Sequence, residues 1–181
     1  MQKNIGSVLA LYPTPLTVIG AMVDNKPNWM LAGHVGIMSH DRIMVSLAKA
    51  HHTNEGIRKQ KKLSISMVDE DMLAKADYVG GVSGKDTDKS TVFPYHMGEA
   101  GAPVIDSAPV VMECSVVDVY EVGAFENFVL KIDHTYAKEA VLNAEGKIDY
   151  HTFRPVLFEM PTYEYLKTGE VIGTCREIGK Q

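Results

Sequence analysis

The stretch VVMECSVVDVYEVGAFENFVLKIDHTY, residues 110–136, decides the architecture. Val110 to Val122 and Phe125 to Tyr136 flank Gly123 and read as two long strands joined by a tight turn. Working outward, short apolar runs recur, punctuated by Gly, Pro, Asn and Asp. Leu16 to Val23 is a continuous apolar run closed by Asp24-Asn25-Lys26-Pro27, a strand-then-turn signal. Arg42 to Leu47 alternates, with Ile43, Val45 and Leu47 on one face; Leu63, Ile65 and Met67 do the same against Ser64 and Ser66. Val156 to Met160 is one more short strand candidate, and beyond Lys138 the only other signal is a turn around Asn143 to Lys147.

Two helices are expected. One runs from about Thr53 to Lys61, with Thr53 or Asn54 as N-cap and basic residues at its far end. The other runs from about Asp71 to Val79, with Asp69 or Asp71 able to cap it. Many short strands and few, short helices predict a mainly β chain with a closed or sandwiched sheet.

The 181 residues suit a single domain, 1–181, and 45% hydrophobic against 23% charged residues is enough apolar material for a core without staples. A net charge of −5 argues against nucleic acid as a partner. Cys114 and Cys175 are far apart and form no paired-thiol motif, which argues against a disulfide framework or a thiolate zinc site. Met1 to Gly6 lacks the basic segment and apolar run of a secretion signal, and no apolar stretch reaches membrane-spanning length. The expectation is a cytoplasmic protein without a membrane partner.

Two segments offer chemistry. Ala50-His51-His52-Thr53-Asn54-Glu55-Gly56-Ile57 joins a strand to a helix start, where free N–H groups, a Thr hydroxyl and the positive dipole end favour a phosphate, with charge from His52, Lys59 or Lys62. A merely capped helix explains the same residues. The second segment is Ser83-Gly84-Lys85-Asp86-Thr87-Asp88-Lys89, preceded by Gly80 and Gly81, which allows close backbone approach and carries two lysines. It is not a P-loop, because Gly80 lies one residue too close to Gly84-Lys85 and Asp86 stands where Ser or Thr is required. A solvated loop is the alternative. The seven histidines do not fit a metal motif: His34 and His40, or His51 and His52, miss the His-Glu-x-x-His spacing. Cys114, Trp29 and the methionines at 30, 38, 44, 67 and 72 read as core, and the serines form no nucleophile elbow.

Taken in order, the motifs resemble the flavin reductase-like family, flavoredoxin type, whose members have an FMN-binding split β-barrel. Tyr12-Pro13-Thr14-Pro15 leads into the strand Leu16 to Ala21. Pro27-Asn28-Trp29-Met30 with Ala32-Gly33-His34 resembles the family's Asn-x-Met-Thr segment. Ser46-Leu47-Ala48 stands at a strand end, and His52-Thr53 with Ile57 resembles its His-Thr-x-x-x-Ile signature. Ala76 to Gly80 with Ser83-Gly84 and Asp88-Lys89 is similar to its Gly-x-x-Ser-Gly-x-x-x-Asp-Lys element, and Ala108-Pro109 with Glu113-Cys114 to the start of its last strands. The ordered match runs from about Tyr12 to Ile132.

The resemblance implies FMN as cofactor and no obligatory catalytic side chain. It places Asn28, Met30, Ala32, Gly33 and His34 along the isoalloxazine and ribityl chain, and Ser46, Leu47 and Ala48 as backbone partners of the ring. Thr53, His52 and Asn54 would hold the phosphate, with Lys89, Ser83 and Gly84 closing the pocket. It further implies a homodimer, and NAD(P)H or a redox protein as electron donor. Two positions depart from the pattern: Leu31 stands where many members carry Thr, and Gly123-Ala124-Phe125 replaces the Gly-Asp-His of members that use NAD(P)H. The implied activity is that of an FMN-dependent oxidoreductase, either an NAD(P)H:flavin reductase or a flavoredoxin-like electron carrier, and the second departure adds weight to the carrier. A non-enzymatic flavin-binding module and a histidine metal protein are the rival readings.

Overall fold

The computed structural model describes residues 1–180. Twelve strands follow one another as β1 (Thr14–Pro15), β2 (Thr17–Val23), β3 (Lys26–Ala32), β4 (Val35–Ile37), β5 (Arg42–Ala48), β6 (Lys62–Met67), β7 (Tyr95–Met97), β8 (Pro103–Ile105), β9 (Val110–Val122), β10 (Phe125–Ala137), β11 (Leu157–Glu159) and β12 (Glu164–Leu166). Helix α1 (Thr53–Gln60) lies between β5 and β6, and α2 (Leu73–Gly81) between β6 and β7.

Seven strands form one antiparallel sheet in the order β3-β2-β6-β9-β10-β5-β4, which curls into a half-barrel. The long hairpin β9–β10 is its centre, turning at Gly123 (φ 57°) as the sequence indicates, with register shifts at Val129/Leu130 and Ile132/His134. Such irregularities bend a strand and raise its twist, which long strands need in order to curl. The Leu16–Val23 run becomes β2, but its turn is tighter than expected. Asp24 and Asn25 alone make it, both at positive φ, and Lys26 and Pro27 already belong to β3.

One core fills the concave side, from Ile19, Met30, Val45, Leu47, Ile65, Phe128 and Leu130 to Ile57 of α1. A second covers the outer face, where Val18, Trp29 and Val111 meet Ala76 and Val79 of α2, Phe93, and Val104 of β8. The alternation in β5 holds: Ile43, Val45 and Leu47 are buried. In β6 the serines are buried too, because β8 lies over them and Ser64 donates to the Pro103 carbonyl. Of the residues assigned to the core, Trp29, Met30, Met72 and Cys114 are buried, Met44 and Met67 are half-buried, and Met38 is exposed at the surface beside β4.

α1 ends one residue earlier than expected, at Gln60, with Lys61 left-handed and its N–H donating to Ile57 O (2.9 Å). Neither Thr53 nor Asn54 caps it. His52 is the N-cap, without a side-chain bond, because both other side chains are drawn to tertiary partners. α2 starts two residues later than expected; Asp69 Oδ1 accepts the Met72 N–H (2.9 Å) and so caps the turn leading into it. The Asn143–Lys147 turn forms, held by the Asn143 carboxamide and a Leu142–Ile148 bridge. β11 realises the Val156–Met160 candidate and joins β1 and β12 in a small sheet.

Behind the large sheet, Glu113 is wholly buried on β9. Its carboxylate accepts the N–H groups of Ala100 (3.0 Å) and Ala102 (2.8 Å) and the Tyr136 hydroxyl (3.0 Å), clasping the β7–β8 turn to the sheet. Burial pushes its pKa up, but the two amides and the phenol outweigh this and hold it below the ordinary carboxylate range. A depressed folded-state pKa gives stability that is present above the unfolded value of about 4.3 and lost as pH falls through the folded value. Urea melts should therefore show Glu113→Gln less stable at neutral pH by about 2 kcal/mol, with a shallower loss of stability than wild type on acidification.

Candidate functional site

Three strand and helix ends converge on one elongated groove. β3 is an edge strand of the large sheet, so its outer edge from Asn28 to Ala32 has no strand neighbour there. β4 pairs with β5 only from Ile43 to Val45, and the Ser46 N–H goes to His34 O (3.0 Å). Past Ser46, the β5 edge toward β4 also lacks a paired strand. Between these edges sits the start of α1, and the C-terminal end of α2 packs across β3.

The groove is polar at one end. There a cavity of about 330 Å³ is lined by Asn28, His51, His52, Thr53, Ser83, Gly84 and Lys89, among others. The amides of Asn54 and Glu55 are spent on His51 O (3.2 Å) and His52 O (3.1 Å), whereas those of His52 and Thr53 have no partner among the described residues. Two free N–H groups opening an eight-residue helix make a site suited to an anion. Lys89 brings an ammonium: it is 4% exposed and donates to Val79 O (2.9 Å) and Val82 O (3.1 Å), carbonyls at the end of α2. Burial lowers its pKa, so a countercharge in the cavity would be welcome. Burial, and then the nearby Lys89, also lower the His51 pKa, which favours a neutral imidazole.

The other end is apolar. A cavity of about 490 Å³ continues from the first through the shared Met30, Leu31, His51 and Gly80. Its walls include Ala32, Gly33, His34, Ser46, Leu47, Ala48 and the neighbouring Phe125, together with Phe158, Met160 and Tyr163. His34 is tied to Tyr12, whose hydroxyl lies 3.1 Å from His34 Nε2.

All the site residues expected from the sequence therefore lie along this groove except Asn54. Asn54 is fully buried and points away from the cavity; its Nδ2 donates to Ala48 O (3.1 Å) and Glu126 Oε2 (2.8 Å), and Glu126 also takes Arg58. It fastens α1 to β10 instead of facing an anion. The sequence reading does not single out the trio Phe158, Met160 and Tyr163, while His51, Val79, Gly80 and Gly81 fall in segments it marks without being assigned a role. His51 carried a signal, since it adjoins His52 in the same segment; the trio comes from short strands and a positive-φ bend at Tyr163, where no periodicity can show.

A groove with free helix amides and an ammonium at one end, and an apolar slot between bare strand edges at the other, fits a long ligand with an anionic tail and a flat ring. A family model for the flavin reductase-like domain matches residues 9–164, and the chain belongs to this family. Among solved structures it is similar to a flavoredoxin from Methanosarcina acetivorans, with 33% identity over 99% of this chain and 98% of that one and a TM-score of 0.94. It is also similar to the flavoredoxin of Desulfovibrio vulgaris (Miyazaki F), with 31% identity, 99% and 100% coverage and a TM-score of 0.91. An FMN-binding protein from Thermus thermophilus shares the fold at 20% identity, a TM-score of 0.81 and 97% coverage of each chain. The half-barrel is thus the split β-barrel of these proteins. A search of curated proteins gave no match. Among the described residues, no helix is long and apolar enough to cross a membrane.

Proposed function

We propose that the chain, as a single domain, binds FMN along this groove and works as a flavoredoxin-like electron carrier. The observation that carries the reading is the continuity of the two cavities in a chain of this family. The amides of His52 and Thr53, the Thr53 hydroxyl and the Lys89 ammonium hold the phosphate. Met30, Leu31 and Ala32 run beside the ribityl chain and ring, and the free edge beyond Ser46 offers Leu47 and Ala48 backbone groups to the ring. Bound flavin supplies the redox chemistry, as hydride or single-electron exchange. The protein's share is to bind it, orient it and shield it, with Phe158, Met160 and Tyr163 closing the ring end to water.

The choice of donor turns on the β9–β10 turn. Phe125 lines the ring end where nicotinamide-using relatives carry a histidine, which supports a redox protein over NAD(P)H as the donor. A second copy of the chain is the natural cover for the apolar surface around this end, where Leu9, Leu11 and Val122 are exposed. The free thiols of Cys114 and Cys175 suit a reducing compartment such as the cytoplasm.

The test is an anaerobic titration of FMN-loaded protein with NADH and NADPH, followed by flavin absorbance. The expected result is FMN uptake, no bleaching by either nucleotide, and bleaching once a reduced low-potential redox protein is added. Rapid bleaching by a nucleotide alone would make the chain a reductase. Failure to take up FMN would remove the proposal.

A further inference from the structure

The polar end of the groove contains a side-chain pair whose order matters. Asn28, at 6% exposure, donates from Nδ2 to Thr53 Oγ1 at 2.7 Å, and Thr53 is 1% exposed. No other bond to that hydroxyl exists among the described residues. Gly84 packs against this amide: a Cβ there would stand 2.4 Å from Asn28 Oδ1 and 3.0 Å from Nδ2. One carboxamide is thus wedged between the 83–89 loop and the first turn of α1, with one N–H directed at Thr53.

We infer that Asn28 is a positioning residue for the anion, acting through Thr53. A hydroxyl has one hydrogen and two lone pairs. With one lone pair taken by the Asn28 N–H, the hydrogen turns away from Asn28 and toward the cavity, where the amides of His52 and Thr53 also open. Thr53 is thereby biased toward donating to a ligand before any arrives, with one lone pair left over. An anion oxygen can only accept, so this polarity favours a phosphate tail, while a flavin that ends in a neutral hydroxyl gains little from it. The remaining acceptor, Asn28 Oδ1, would repel a phosphate oxygen, which excludes Asn28 from direct contact through that atom. The inference rests on the phosphate assignment proposed above.

The test is the ratio of FMN to riboflavin affinity, read by quenching of flavin fluorescence, in wild type, Asn28→Ala, Thr53→Ala and the double variant. A ratio cancels losses from a general loosening of the groove, which affect both ligands. Asn28→Ala should lower the ratio roughly fivefold, as expected for one neutral hydrogen bond, and should change it no further once Thr53 is Ala. Asn28→Leu keeps the volume filled and should behave the same way if the Ala variant does not fold. If Asn28→Ala leaves the ratio unchanged, or lowers it equally in both backgrounds, the positioning role is wrong while the phosphate site stands. If Thr53→Ala alone leaves the ratio unchanged, the phosphate assignment fails and the inference falls with it.

Discussion

Thr53→Ala should bind FMN about tenfold to a hundredfold more weakly than the native chain and riboflavin almost equally well. The effect is large because the hydroxyl is one of few donors at the polar end, is 1% exposed, and would meet a charged acceptor out of bulk water. Losing the hydroxyl also strands Asn28 Nδ2, its 2.7 Å partner, but that cost is present in the empty site as well as the filled one and so cancels from the binding of either ligand. Parallel titrations with FMN and riboflavin measure the difference directly. Equal weakening of both would move the phosphate away from α1.

Gly56→Ala is the second large effect, and it acts on the scaffold. A Cβ at this position would stand 2.4 Å from the Met22 carbonyl oxygen and 2.8 Å from Val23 Cγ2, so α1 rests directly on the backbone of β2. Alanine favours a helix over glycine by about 1 kcal/mol. Here that preference is outweighed, because main chain cannot swing aside as a side-chain tip can, and overpacking typically costs 1–3 kcal/mol or more. A net loss of about 2 kcal/mol is expected, seen as a fall in Tm of about 6 °C. The helix start must also lift, so FMN affinity should fall with it. A variant as stable as the parent would show that α1 is not seated this tightly.

Much of this was legible in the chain. The hairpin around Gly123 could be read because two long apolar-rich strands meeting at a glycine have few alternatives. The one-sided pattern of Ile43, Val45 and Leu47 survived because β5 has a single buried face. The pattern in β6 misled for Ser64 and Ser66, since a second layer covers the strand's other side; Ser64 satisfies itself on the Pro103 carbonyl, whereas Ser66 Oγ is buried with no hydrogen-bond partner among the described residues. The same competition explains the caps of α1: Thr53 and Asn54 have cap chemistry, but Asn28 and Glu126, distant in sequence, claim their side chains. Most groove residues were found through ordered family motifs rather than local chemistry. The ring-end wall from Phe158 to Tyr163 was not, because its place depends on β11 pairing with β1 across more than a hundred residues.

The strand order of the large sheet also governs when the groove can exist during synthesis. β5 has no long-range neighbour until β10 emerges, and β6 waits for β9 before its second edge is covered. A chain leaving the ribosome in sequence thus carries the anion-binding turn early but the walls of the ring slot only near its end. Pairings this remote along the chain form slowly, so flavin would be acquired by a finished barrel rather than serve as the seed around which the barrel condenses.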